Sequence, residues 1–181
     1  MLDIRVVYKK SLIVFICMFF AVVLVEKNAY AEKNKIFSNT GLNLPRFVSI
    51  AKNTANVRSG PGQKYPVKWT INRKELPVEV ILEFDHWRKI RDLEGDEGWV
   101  FHTLLSGKRY AVIIGSDNAI AYDSPIAGNR KKPSVSMYLE PGSVVRLMTC
   151  NGAWCEVETA DLSGWIKRKS LWGVYETENI D

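Results

Sequence analysis

The chain has 181 residues, 25 Lys+Arg against 20 Asp+Glu, a formal net charge of +5 and 46% hydrophobic residues. A charge this mild and this evenly dispersed excludes the concentrated basic stripe that nucleic-acid binding requires, though it is compatible with an anionic envelope polymer. Much of the apolar content sits in the first 31 residues, and residues 32–181 have an ordinary soluble composition.

At the amino terminus, residues 1–10 carry Arg5, Lys9 and Lys10, and an unbroken apolar run extends from Leu12 to Val25. Ala29-Tyr30-Ala31 then offers small residues at the two positions a signal peptidase reads. Basic region, apolar region and A-x-A site, in that order, make a secretory signal, with cleavage expected after Ala31. The apolar run is shorter than the ~20 residues needed to cross a bilayer core, which favours a cleaved signal with no stable membrane insertion afterwards over the alternative, an anchor that is never cut. Cys17 lies inside that run, behind Phe15 and Ile16, and should leave with it. Residues 32–181 then retain 21 Lys+Arg and 18 Asp+Glu, a net +3.

Beyond the signal, nearly every periodic segment reads as strand. "FVSIA" from Phe47, "PVKWTI" from Pro66, "PVEVIL" from Pro77, "WRKI" from Trp87 and "GWVF" from Gly98 are short, rich in β-branched and aromatic residues, and bounded by turn formers. Between the first two lies a Pro/Gly segment, in which Asn56, Arg58, Ser59, Gly60 and Pro61 read as a loop. Glu94, Asp96 and Glu97 form an acidic, solvated hairpin tip. After the short connection "SGKRYAV" from Ser106, which predicts packed rather than freely tethered halves, come "YAVII", "SVSMYL", "SVVRLM" and "GWIK". The basic run Gly128–Pro133 reads as a solvated loop.

The segments repeat. Leu76–Gly107 and Gly142–Gly173 share an apolar run, a Trp (Trp87, Trp154), an alternating strand, a polar turn, Gly-Trp-aliphatic (Gly98-Trp99-Val100, Gly164-Trp165-Ile166) and a closing Leu. Trp99 and Trp165 lie 66 residues apart. Two units of ~60 residues, each with about five short strands, favour two small curled barrels that close their own edges over one larger sheet.

The ordered set "ANVRSGPG" at Ala55–Gly62, then Trp87, then Gly98-Trp99-Val100, resembles the bacterial SH3 (SH3b) family. The second unit is similar to a cysteine-bearing exported variety of it, with Ala119–Tyr122 standing where Asn-Val-Arg-Ser would be. The resemblance covers residues 47–175. It implies an all-β chain of two SH3-like barrels in tandem: signal 1–31, linker 32–46, barrels 47–108 and 109–175, and a tail 176–181.

Cys150 and Cys155 flank Asn151-Gly152-Ala153-Trp154, a strong hairpin-turn sequence that brings them face to face across two antiparallel strands. In an oxidising compartment they are expected to pair as a disulfide that pins the hairpin's register. Zinc would need about four ligands, and the only histidines, His86 and His102, lie in the other unit. A redox pair would open a helix, and no helix is expected after these cysteines. No metal or cofactor is expected. Of the tryptophans, Trp99 and Trp165 read as core, Trp87 and Trp154 as space-fillers or walls of a groove, and Trp69 and Trp172 as contacts between units or with a partner. Arg58 either pairs with a local carboxylate or faces an acidic group of a ligand, with Tyr65 beside it; Tyr122 and Trp154 are the counterparts in the second unit.

No nucleophile–base pair, Gly-x-Ser-x-Gly, His-Glu-x-x-His or phosphate loop is present, so no enzyme is expected. The resemblance implies an exported envelope protein that binds peptidoglycan peptides. The alternative is a secreted or periplasmic protein–protein interaction module, a host protein being one candidate partner.

Overall fold

The computed structural model describes residues 40–125 and 133–181. The predicted signal, its cleavage site, most of the linker and nearly all of the Gly128–Pro133 run lie outside the described residues. Among those described, no helix is long and apolar enough to cross a membrane.

Two seven-stranded antiparallel sheets succeed one another along the chain. The first comprises β1 (Arg46–Ile50), β2 (Ala55–Arg58), β3 (Val67–Ile71), β4 (Pro77–Phe84), β5 (Trp87–Arg91), β6 (Glu97–Phe101) and β7 (Leu105–Ser106). The second comprises β8 (Tyr110–Ile113), β9 (Ala119–Tyr122), β10 (Val135–Leu139), β11 (Val144–Asn151), β12 (Trp154–Glu158), β13 (Ser163–Lys167) and β14 (Leu171–Trp172). Their orders are β3-β2-β6-β5-β4-β1-β7 and β10-β9-β13-β12-β11-β8-β14, one topology written twice. A single 3-10 turn precedes the last strand of each, at His102–Leu104 and Arg168–Ser170. Every strand-like run read from the sequence lies wholly or largely within one of these strands.

Each sheet curls around its own core. Ile50, Val57, Ile71, Val78, Val80, Ile90 and Val100, from six strands, meet in one cluster; Ala111, Ala121, Leu139, Val145, Leu147, Val157, Ile166 and Leu171 meet in the other. Asn56 and Arg58, expected in a loop, belong to β2. Ala55 and Val57 face the core while Asn56 and Arg58 face out, but an alternation four residues long is too short to stand out from turn-forming neighbours.

Glycine sets which face the tryptophans take. β2 crosses β6 with Arg58 opposite Trp99, and a Cβ on Gly98 would lie 2.4 Å from Val57 Cγ1. Gly98 and Val100 therefore occupy the inner face, and Trp99 turns outward and remains half-buried. The same holds for Gly164, Ile166 and Trp165. The sequence expectation of a Trp99/Trp165 core pair is thus corrected: Val100 and Ile166 hold those places. In the second barrel Ala121 replaces Val57, and the equivalent approach relaxes to 3.1 Å.

The two long hairpins are pinned by different chemistry at one position. In β4–β5, Glu83 faces Arg88 across the strands; its carboxylate is fully buried, 3.2 Å from Arg88 Nε and 2.6 Å from Arg46 Nη2. In β11–β12 the equivalent residues are Cys150 and Cys155, opposite each other and disulfide-bonded. Asn151 pairs with Trp154, so the turn proper is Gly152-Ala153, with Gly152 at φ +54°. Asp85, at φ +49°, fills the same place in the first hairpin.

The last residues join the second barrel. Backbone bonds link Ile180 and Cys150 in both directions at 2.8 and 3.1 Å. Arg109, the counterpart of Arg46, pairs with Glu178 through its two terminal nitrogens, Nη1 and Nη2. Burial pushes the Glu178 carboxyl up, but Arg109, the Tyr175 N–H and the charge of Arg168 outweigh it and hold it below the ordinary range.

The barrels also touch. Phe47 lies edge-on to Trp172 at 5.2 Å and tilted against Tyr175 at 4.7 Å. The Tyr175 hydroxyl donates to Glu79 Oε1 at 2.8 Å, and burial together with that bond raises its pKa well above the ordinary value. Trp172 is thus a contact between units, one of the two roles expected for it. Trp69 is not: it packs on the first core, its ring 3.2 Å from a Cβ built on Gly98.

Chemical denaturation tests this account of the hairpins and of the glycines. Glu83→Ala removes the acid and strands two arginines, so it should cost about 3–5 kcal/mol. Replacing both Cys150 and Cys155 by Ala should cost only ~2 kcal/mol, because the closed loop is tiny. Gly98→Ala should destabilise by about 1–3 kcal/mol through the clash with Val57, and Gly164→Ala by distinctly less; equal effects would contradict the packing described.

Candidate functional site

The loop from Ser59 to Pro66 is built on Tyr65. Its ring lies so close to Gly60 that a Cβ there would sit 2.5 Å from Cδ1, which is why a glycine stands at this place. Backbone bonds from Gly62 N to Gly60 O, Tyr65 N to Gly62 O and Ser59 N to Pro66 O fix the turn. Arg58 Nη1 donates to the carbonyls of Tyr65 at 2.8 Å and Gln63 at 3.3 Å. Arg58 therefore braces its own loop through carbonyls, and the expected local carboxylate partner is corrected.

The braced loop and the start of β5 contribute to one groove. Thr54, Asn56, Arg58, Gln63, Trp87, Phe101, Thr103 and Leu104 line a groove of about 270 Å³. Trp87, 9% exposed, forms its firm wall and meets Phe101 edge-on at 5.4 Å. The rest of the lining is mostly uncharged and polar: Thr54, Asn56, Gln63 and Thr103 offer hydroxyls and amides suited to peptide-like groups, with one guanidinium among them. Of the residues singled out from sequence, Arg58 and Trp87 converge here. Tyr65 does not line the groove; it holds the loop that does. Thr54, Gln63 and Thr103 had no signal in the sequence, since exposed polar residues at strand and turn ends are common.

The second barrel repeats the frame with other side chains. Tyr122 pairs opposite Trp165 as Arg58 does opposite Trp99. Ala119–Tyr122 thus corresponds to Ala55–Arg58, one residue from the alignment read in the sequence. Tyr122 meets Trp154 edge-on at 6.1 Å, so the predicted pair is brought together, but an aromatic ring stands where the first barrel has a guanidinium. The neighbouring cross-strand pair changes too. Asn56 and Thr70 share a side-chain hydrogen bond at 2.9 Å, whereas their counterparts, Ile120 and Tyr138, are apolar and exposed. Trp154 also lines a separate cavity of about 620 Å³ with Gly152, Ala153, Lys167, Arg168 and Lys169.

Charge elsewhere is mostly spent locally. Glu97, expected at a solvated tip, pairs with Lys89 and Arg91, whose hydrogen bonds hold its carboxyl below the ordinary range. Among the described residues no group of three or more His, Cys, Asp or Glu converges.

A family model described as bacterial SH3 domain matches the chain twice, over residues 51–107 and 117–173. A curated Bacillus subtilis (strain 168) protein, "Putative N-acetylmuramoyl-L-alanine amidase YrvJ", is 25% identical over 123 residues; the match covers 65% of this chain and 24% of that protein. The chain therefore spans about a quarter of that relative's length. Among solved structures it is similar to NlpC2 from Trichomonas vaginalis, at a TM-score of 0.33 and 12% identity over 73% of this chain and 49% of the other. It is also similar to an NlpC/P60 family protein from Bacillus cereus, at 0.31 and 12% over 70% and 55%.

Proposed function

The chain belongs to the bacterial SH3 domain family, and from that premise we propose that it is an exported, non-enzymatic module that holds on to peptidoglycan. The observation that carries this reading is the Arg58/Trp87 groove, a concave polar strip with an aromatic wall and one cation, of a size to take a few residues of extended cell-wall peptide. The likeness to a protein named as an amidase of cell-wall material supports the same class of ligand. Export is supported by the amino-terminal pattern ending in Ala31 and by the Cys150–Cys155 disulfide, since such bonds persist in oxidising compartments. The absence of a nucleophile–base pair from the sequence supports binding without turnover.

Co-sedimentation with purified sacculi tests this. Chain lacking residues 1–31 should pellet with them, and Thr103→Trp, which fills the groove from an exposed position, should cut the bound fraction about fivefold or more without changing the melting temperature. Failure to pellet, or pelleting untouched by that substitution, contradicts the groove assignment.

A second reading, docking to another protein, is favoured by one feature. Ile120, Val135 and Tyr138, at 37, 46 and 64% exposure, make an apolar strip on the second barrel's edge strand β10 and its neighbour β9. If that strip binds protein, Tyr138→Ser should abolish capture of the partner and leave sacculus binding intact; retained capture counts against it.

A further inference from the structure

We propose that the cavity beside Trp154 is a binding site for a small oxyanion, a carboxylate or phosphate group carried on an apolar body. The first barrel supplies the comparison. At its hairpin turn Asp85-His86 is bulky, and the His86 ring lies 6.0 Å from Phe101 and 5.4 Å from His102. The second barrel has Gly152-Ala153 there. It keeps the backbone bond, Arg168 N to Ala153 O at 2.9 Å matching His102 N to His86 O, but carries no side chain larger than a methyl. The turn that carries an exposed histidine in one barrel borders a cavity of about 620 Å³ in the other.

The stretch beside the turn has also gained positive charge. Phe101-His102-Thr103 becomes Lys167-Arg168-Lys169, and all three cations line the cavity with a single carboxylate, Glu176, among them. Lys167 and Lys169 are exposed and carry no ion pair among the described residues. Arg168 is only 6% exposed. Its Nε donates to Gly152 O at 2.7 Å, and Nη1 donates to Tyr175 O at 2.5 Å and Glu178 O at 2.6 Å. Its Nη2 is buried with no hydrogen-bond partner among the described residues. Held by these three carbonyls, the Arg168 guanidinium adds its fixed charge to those of Lys167 and Lys169, and together they attract an oxyanion to the cavity. Ile114, Ala153, Trp154, Leu171 and Val174 complete the wall, so the group that brings the charge packs an apolar body against them. The site is independent of the peptidoglycan reading and uses none of the first barrel's groove residues.

The test is a titration of isotope-labelled chain lacking residues 1–31, followed by NMR at the Trp154 indole and the Ala153 and Lys169 amides. The probes are acetyl-dialanine as the free acid, the same dipeptide as its amide, and inorganic phosphate, each to about 10 mM, enough to saturate a site with a Kd near 1 mM. Saturable shifts with the free acid assign the source as a carboxylate; shifts with phosphate alone assign it as a phosphate. Either should weaken severalfold toward ~0.3 M salt, and Lys167→Gln/Lys169→Gln should weaken it about tenfold or more. Ala153→Trp, which puts a bulky ring on an exposed turn residue that lines the cavity, should abolish the shifts. No shift with any charged probe, equal shifts with the amide, or full binding by Ala153→Trp overturns the proposal, while sacculus pelleting is read separately.

Discussion

A cross-strand link at the end of each long hairpin holds the frame of the molecule in place. A strand pair eight and five residues long can slip in register, and a slip of one residue would turn every inward side chain outward. One barrel prevents this with a buried ion pair, Glu83–Arg88, and the other with a covalent bond, Cys150–Cys155. Each link sits immediately beside the tryptophan that walls a cavity, Trp87 or Trp154. The consequences of the exchange spread outward. With Glu83 present, Arg46 joins it; with a cysteine in that place, Arg109 has lost its partner and takes Glu178 from the end of the chain instead. The carboxy-terminal residues are thereby drawn onto the second barrel, and with them the Tyr175 and Glu178 carbonyls that hold Arg168.

From this common frame the two barrels diverge in what they present. The first keeps a polar groove with a guanidinium that doubles as a loop brace, and it carries histidine at its hairpin turn. The second substitutes tyrosine for that arginine, opens the turn with Gly152-Ala153 and places three cations around the opening. Duplication followed by side-chain exchange at matched positions is an economical route to two different surfaces, because neither core nor strand order has to change. The Phe47–Trp172–Tyr175 contact then joins the barrels, so that both surfaces belong to one compact unit.

Much of the fold is legible in the sequence because its strands are written in β-branched and aromatic residues between glycine and proline, and because the pattern occurs twice. β2 and β9 are harder to read. Each has four residues, with small inward side chains (Ala55, Val57; Ala119, Ala121) that look like loop. The orientation of Trp99 and Trp165 is ambiguous for a reason of parity: in Gly-Trp-Val either the tryptophan or its neighbours can face inward. Only the approach of Val57 to Gly98 decides it. At the site, Trp87 and Arg58 stand out as unusual residues in a repeated motif, but the acceptors of Arg58 are carbonyls of its own loop, which no side-chain pattern announces. The cavity beside Trp154 leaves no motif at all. It is defined by what is missing at Gly152 and Ala153, and that becomes visible only when the two barrels are matched strand by strand.

The proposed role amounts to recognition of cell-wall material without its transformation. Mass spectrometry of the supernatant after prolonged incubation of the protein with purified sacculi addresses both halves at once. Recognition without turnover predicts protein depleted from the supernatant by binding and no soluble wall fragments above those released by sacculi alone. Fragments appearing in proportion to protein and time, or protein left wholly in solution, would contradict it.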